Sequence, residues 1–454
     1  MDKSIFREYD IRGTYPEQIN DNDAKIIAYL FAKKYKLKKV VIALDKRSES
    51  LPIYHGAIDG FSSAGCQIST LGVDSTPSLS FAVGVGDFDG GIMVTASHNP
   101  SGYAGMKLFV RGGKLIGMST GLDKILSQAL RTKSVPKATR KQVKEISVLQ
   151  DYHNFVFKII DVSKIKNLKL VLDASSGSSA KAVEYFFLRI PGRTIKMNFR
   201  KDKFKDHGLN PLLPENRKYI ESEVRKSKSD LGIIWDGDGD RAIFIDEKGK
   251  FIEPYYINCF LAKLFLSKMK EMKIKNKKIA IDSRLGLAMK QVTEENGGEP
   301  CSIRSGYSNI VRAMIEKKIY FGCENSGHFF VNALFAGKIN AACAEGIIPA
   351  VLIIEYLSET GIKFSKAISE FEKMYQISGE INIKQVDFVK SRKRVLAKFK
   401  KNKVEEVDGL SVYGDNWFFN IRPSNTEPIV RLNIEAKNGK EIEKLKKELL
   451  KLIK

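Results

Sequence analysis

A serine beside a histidine stands in the turn Thr95-Ala96-Ser97-His98-Asn99-Pro100, a setting in which a hydroxyl can take up or pass on a group. The apolar run Gly91-Ile92-Met93-Val94 before it reads as a strand, and Pro100 with Gly102 force the chain out of regular structure just after Ser97. A serine hydrolase is one reading of such a pair. Its nucleophile elbow needs Gly-x-Ser-x-Gly, however, and Thr95 and Asn99 stand where both glycines belong. A plain polar turn is the other reading.

A second segment, Asp236-Gly237-Asp238-Gly239-Asp240-Arg241, offers three carboxylates at alternate positions. The glycines between them allow the bend that would converge all three on one cation, and hard oxygen donors select Mg2+ or Ca2+. An EF-hand would use Asp236, Asp238 and Asp240 as its first ligands and Glu247 as its last, but Arg241 occupies the place of its turn glycine. The flanks Leu231 to Trp235 and Ala242 to Ile245 also read as strands rather than helices. A solvated acidic turn is the bland alternative.

Two further loops carry recognition chemistry. Gly322-Cys323-Glu324-Asn325-Ser326-Gly327-His328 presents an acceptor, a hydroxyl and an imidazole, the groups that read sugar hydroxyls by directed hydrogen bonds. Arg422-Pro423-Ser424-Asn425-Thr426-Glu427-Pro428 combines a guanidinium, two hydroxyls and an amide on a turn, an oxyanion cradle.

In chain order these four segments resemble the phosphoserine, metal, sugar and phosphate loops of the alpha-D-phosphohexomutases, the phosphomannomutase/phosphoglucomutase family. Phe6-Arg7-Glu8-Tyr9-Asp10-Ile11-Arg12-Gly13, Asp45-Lys46-Arg47-Ser48, Thr76-Pro77, His207 to Pro211, Pro214-Glu215-Asn216 and Arg304-Ser305-Gly306-Tyr307-Ser308 look like further landmarks of that family. The resemblance implies catalytic roles for Ser97, His98, Lys107 and Arg12. It implies Mg2+ on Asp236, Asp238, Asp240 and a Ser97 phosphate oxygen, with glucose 1,6-bisphosphate or mannose 1,6-bisphosphate as activator. Substrate contacts are implied for Tyr9, Arg241, Arg284, Tyr307, Glu324, Ser326 and His328, and a grip on the non-reacting phosphate for Arg422, Ser424, Asn425 and Thr426. Glu324 and Ser326 would hold the sugar's O3 and O4, a grip that accepts both glucose and mannose because they differ only at C2. Three positions depart from the family pattern: Tyr307 where His is usual, Ala104 for Asn, and Arg284 for a substrate-contacting Lys.

The elements that must hold these loops are legible as a repeat. Val40 to Asp45, Leu168 to Asp173 and Ile279 to Asp282 are each a buried-type strand ending in Asp, followed by a stretch that can be helical. One α/β unit used three times is expected, and 454 residues exceed what one core supports. Lapses in apolar periodicity place boundaries to give units at 1–143, 144–250, 251–366 and 367–454. The family resemblance implies an α/β protein: three related α/β/α domains with mixed sheets and a smaller C-terminal TBP-like α+β domain, around a central cleft.

Composition limits the partners. A formal charge of +23 invites nucleic acid, but the lysine clusters at Lys268 to Lys278, Lys390 to Lys403 and Lys437 to Lys454 are broken by Glu or apolar residues, as on solvated helix faces. The excess could instead draw in phosphosugars. Five cysteines without Cys-x-x-Cys spacing read as free thiols in a reducing compartment. Met1 to Ser4 leads straight into the signature, and the Ile347 to Ile354 run is short and broken by Pro349. A cytoplasmic protein is expected, monomer or homodimer, acting on a small phosphosugar with neither nucleic acid nor membrane as partner.

The expected chemistry is interconversion of hexose 1-phosphate and hexose 6-phosphate through a phosphoserine at Ser97 and a 1,6-bisphosphate that turns over in place. A phosphoserine of about −2 and three aspartates face roughly five positive charges from Mg2+, Arg12, Arg241 and Lys107, so the site is near balance. Lys107 is the expected general base, with Arg12 and Arg241 lowering its pKa from about 10.4. Phosphoglucosamine mutase and an inactive phosphosugar-binding protein are the alternatives.

Overall fold

In a computed structural model the chain builds four sheets, each from a successive stretch of sequence. The structure describes all residues except 138, 140, 141, 201–206, 285, 338, 339 and 425–428. Three of the sheets share one plan. In the first, the buried strand Lys39–Leu44 lies between parallel partners Gln67–Val73 and Gly90–Val94, and Gly90–Val94 then pairs antiparallel with Tyr103–Val110. The second repeats this with Lys169–Asp173 between Arg193–Met197 and Leu231–Trp235, followed by antiparallel Ala242–Ile245. The third does so with Lys278–Asp282 between Glu299–Ile303 and Phe321–Cys323, followed by Phe329–Asn332.

Burial on both faces explains why the central strands read as unbroken apolar runs rather than alternating ones. Helices cover the faces. Asp21–Tyr35, for example, starts at a reciprocal capping box between Asn20 and Asp23, a device worth about 1 kcal/mol. One apolar core runs through the first three units, joining Phe81 and Phe109 to Tyr152, Phe186, Trp235, Phe321 and Phe330. They are therefore packed as one body.

The fourth sheet is antiparallel throughout, with Trp417–Pro423 and Ile429–Ala436 at its centre, and it has a core of its own with helices Phe388–Lys398 and Gly439–Ile453. Its seam with the third unit includes Glu435, fully buried, whose carboxylate accepts from the backbone N–H of Gly286, Leu287 and Ala288 and from the Tyr255 hydroxyl. A carboxylate there satisfies the orphan donors that open helix Leu287–Glu295.

Two boundaries placed by lapsing periodicity fall inside elements. Val143–Glu145 is an edge strand of the first sheet, and helix Phe364–Met374 spans residue 366. A polar composition marks exposure there, not the end of an element. The lysine clusters also need one correction, since Lys268 is buried and ion-paired with Glu355 at 2.7 Å rather than solvated. Among the described residues no helix is long and apolar enough to cross a membrane.

Candidate active site

The shared plan decides where the chemistry goes. In each of the three α/β units the loop of interest leaves the C-terminal end of the second parallel strand and returns as its antiparallel partner. Ser97 lies in the first such loop, Asp236 to Arg241 in the second and Glu324 to His328 in the third. Packing the units together brings these equivalent ends face to face.

Ser97 is buried and held in the left-handed backbone region at φ 52°, a conformation costing a non-glycine residue roughly 1–2 kcal/mol. Its N–H donates to Thr95 Oγ1 at 2.8 Å, and its Oγ lies 3.3 Å from Asp236 Oδ2 and 3.2 Å from His98 Nδ1. The loop's carbonyls turn inward to the buried Arg47. That guanidinium donates to Ser97 O and Asn99 O at 2.6 Å and to Pro100 O at 2.8 Å, while its Nε pairs with Asp45 at 3.1 Å. Arg12 reaches the same loop, donating to Asn99 Oδ1 at 2.9 Å while Asp10 holds its other edge.

Asp236, Asp238 and Asp240 are fully buried, and their carboxylates can each offer an oxygen within 4.8 Å of the others. Asp238 Oδ1 is buried with no hydrogen-bond partner among the described residues, and Asp240 Oδ1 faces His328 Nε2 at 3.2 Å. Converging hard oxygens with unsatisfied lone pairs fit a divalent cation. Burial, then the charges of Asp240 and Asp238, push Asp236 up to about 7 against the opposing pull of Arg241 and Lys107. Thr76 from the first unit fixes this loop, its N–H donating to Asp238 O at 2.9 Å and its hydroxyl to Asp238 Oδ2 at 2.5 Å.

Lys107, on strand Tyr103–Val110, is buried and lies 2.6 Å from both Asp238 Oδ2 and Asp240 Oδ2. Burial opposes its charge, but the two carboxylates outweigh burial and the repulsion from Arg12, raising its pKa above the ordinary lysine value. The lowered pKa expected from neighbouring cations is therefore corrected: contact at 2.6 Å decides. His98 goes the other way. Arg241 first, then burial and Arg12, hold it far below an ordinary imidazole, so it is neutral.

A cavity of about 270 Å³ opens from this cluster and is walled by all four units. Its lining includes Tyr9, Arg12 and Lys107 of the first unit, Asp240 and Arg241 of the second, Arg284, Glu324, Ser326 and His328 of the third, and Arg422 and Ser424 of the fourth. Ser97, His98, Asp236 and Asp238 lie behind Lys107, Asp240 and Arg241. Glu324 accepts from Gly306 N–H at 2.6 Å and from Ser326 Oγ at 3.0 Å, and lies 3.2 Å from His328 Nδ1. Burial would raise its carboxyl, but His328, Arg284 and the Gly306 N–H hold it well below the usual range. Asn425 and Thr426 lie outside the described residues.

Two expected substrate contacts are not offered as expected. Tyr307 lines the cavity with its ring, packed against Phe109 and Phe330, but its hydroxyl accepts from Ala344 N–H at 3.3 Å and lies 3.5 Å from Ser80 Oγ, away from the cavity. Tyr9 spends its hydroxyl on Ser305 O at 2.9 Å, steadying the 304–308 loop. Ala104 is packed in the first unit's core. Arg284 lines the cavity while its Nε sits 2.9 Å from both Asp282 oxygens. Sequence reasoning noted Arg47 and Thr76 as landmarks without a role, and their partners are what the fold adds.

The comparisons with known proteins agree with this division into four. Phosphoglucomutase/phosphomannomutase alpha/beta/alpha domain I matches residues 3–136, domain II 150–249, domain III 254–375 and the C-terminal domain 380–452. The chain belongs to the phosphoglucomutase/phosphomannomutase family. It is 35% identical to a phosphomannomutase of Vibrio cholerae, covering 99% of this chain and 98% of that protein. It is 31% identical to phosphohexose mutases of Xanthomonas campestris over 96% of each chain. A crystal structure of a phosphoglucomutase/phosphomannomutase family protein from Burkholderia thailandensis superposes with a TM-score of 0.86 at 25% identity, covering 100% of this chain and 97% of that one. The family assignment and the α/β class thus follow from both sequence and shape.

Proposed function

We propose that the protein interconverts hexose 1-phosphates and hexose 6-phosphates, of mannose, glucose or both, by lending a phosphoryl group from Ser97. One observation carries this reading. Ser97 Oγ from one sheet meets Asp236 from another at 3.3 Å, with Lys107 beside them and a cavity running from there to Arg422. Full-length likeness to proteins named phosphomannomutase supports the hexose phosphate class.

Asp236, Asp238, Asp240 and a phosphate oxygen on Ser97 would hold Mg2+. When bound, that cation would neutralise the carboxylates that keep Lys107 charged and spread charge from the moving phosphoryl oxygens. In the first half-reaction the bond between phosphorus and Ser97 Oγ breaks as one forms to the free sugar hydroxyl. The hydroxyl's proton passes to Lys107 in its neutral state and from there to Ser97 Oγ, leaving a 1,6-bisphosphate. The intermediate turns, and the second half-reaction returns its other phosphate to Ser97. Arg12 and neutral His98 flank the transfer. Glu324, Ser326 and His328 read the sugar hydroxyls, Arg241 and Arg284 add charge along the cavity, and Arg422, Ser424, Asn425 and Thr426 grip the distal phosphate. Glucose or mannose 1,6-bisphosphate would recharge Ser97 after a lost intermediate.

The working units we infer are those expected at 1–143, 144–250, 251–366 and 367–454, with the first seam moved past edge strand Val143–Glu145 and the third past helix Phe364–Met374. We infer a cytoplasmic setting, as monomer or homodimer without nucleic acid or membrane; five cysteines outside any disulfide support the reducing compartment. The test is a coupled assay with glucose, mannose and glucosamine 1-phosphates, with and without glucose 1,6-bisphosphate, on wild type and Ser97→Ala. Wild type should turn over a glucose or mannose substrate and show a phosphoryl adduct on Ser97 by mass spectrometry. Wild-type rates in Ser97→Ala would end the proposal.

A further inference from the structure

We propose that Arg47 is a positioning residue for the phosphoryl transfer, fixing the attitude of Ser97 through the backbone carbonyls of its loop. The inference rests on the reading of Ser97 as the carrier. Arg47 is not among the residues that line the cavity, and it meets the Ser97 loop at backbone carbonyls. It is 4% exposed, and one guanidinium accounts for three carbonyls of the loop: Ser97 O, Asn99 O and Pro100 O.

Such a clamp answers a specific strain. Ser97 has φ 52°, which a β-carbon disfavours, and a residue persists there only when its surroundings over-determine it. The same Ser97 carbonyl comes close to the opposite loop at Gly237, where an added β-carbon would lie 2.6 Å from it and only glycine leaves it room. Between the guanidinium and the metal loop, the carbonyl of the carrier residue has little room to shift, and with it the direction of Oγ. The clamp is itself anchored: Asp45 takes Arg47 Nε at 3.1 Å and Arg47 N–H at 3.1 Å, and Ser50 Oγ at 2.5 Å holds the carboxylate. A lysine would keep the charge but not a planar fork with separate nitrogens for separate carbonyls.

The test uses the full chain with Mg2+ and glucose 1,6-bisphosphate. Arg47→Lys is expected to lose about a hundredfold in kcat, the scale of a roughly 1 Å misplacement, with KM within about threefold of wild type. Phosphorylation of Ser97 by the bisphosphate, followed by intact mass, should slow in the same proportion. In Arg47→Ala, added guanidinium at tens of millimolar should restore part of kcat while methylammonium does not. An Arg47→Lys enzyme with kcat near wild type would overturn the proposal, as would an Arg47→Ala enzyme that guanidinium fails to rescue. If Arg47→Ala does not fold, Arg47→Lys decides alone. Wild type assayed alongside separates the two claims: a wild type inactive on every hexose phosphate ends the functional reading, whereas an active wild type matched by Arg47→Lys ends only this one.

Discussion

The central strands of the first and third units end in the same device and aim it in different directions. Asp45 and Asp282 each accept the N–H and the Nε of the arginine two residues on, Arg47 and Arg284, and each also accepts a serine hydroxyl, Ser50 or Ser305. Arg47 turns its far edge inward to its own unit's loop, while Arg284 lines the shared cavity. The second unit keeps the aspartate, Asp173, but has Ser175 at the arginine's place and pairs the acid with His207. A repeated scaffold thus fixes where an arginine starts, and the local packing decides whether it shapes the site or meets the ligand.

Three substitutions break or sharpen that contrast. Arg284→Lys is the counterpart of Arg47→Lys and should act on the other parameter, raising KM for hexose phosphate about tenfold with kcat nearly unchanged. A fall in kcat with constant KM would make the two arginines equivalent. Thr76→Val tests whether support from a neighbouring unit matters as much as support from within. Losing the hydroxyl on Asp238 should raise the Mg2+ needed for half-maximal activity about tenfold, measured by metal titration. An unchanged titration curve would make that hydrogen bond incidental.

The smallest effect comes from an acid that, unlike Asp45 and Asp282, has no ion-pair partner among the described residues. Glu345 is fully buried with the Tyr152 hydroxyl as its partner, and burial pushes its pKa up to about 8. Because the folded form binds this proton more tightly than the unfolded form, stability is lost as pH rises from about 4.5 through 8, by up to about 1.4 kcal/mol per pH unit. Glu345→Gln should flatten that slope in urea melts at pH 6 and pH 8. A variant whose slope matches wild type would show that the acid stays charged.

Much of the site was legible because its chemistry is written in short segments. The aspartate triad, the serine turn and the sugar loop each name their residues within seven positions, and the repeat of strand-then-Asp foretold the shared plan. What could not be read was direction. Asp-x-Arg occurs at 45–47 and at 282–284 with the same spacing, and nothing in the text distinguishes a guanidinium that turns inward from one that lines the cavity. Tyr307 fits a sugar contact by position, yet packing between Phe109 and Phe330 sends its hydroxyl to the Ala344 backbone. The charge on Lys107 depended on carboxylates 131 and 133 residues away along the chain.

Strand Ile429–Ala436 carries Glu435 near one end, and its other end adjoins the loop expected to hold the distal phosphate. At about 3.3 Å per residue Glu435 and Ile429 are roughly 20 Å apart, so tilting the strand by about 10° about Glu435 would move Ile429 by some 3 Å. Glu435, seated on a helix terminus, thus gives any tilt of this strand a lever arm one strand long toward Ser424, whose N–H donates to Ile429 O.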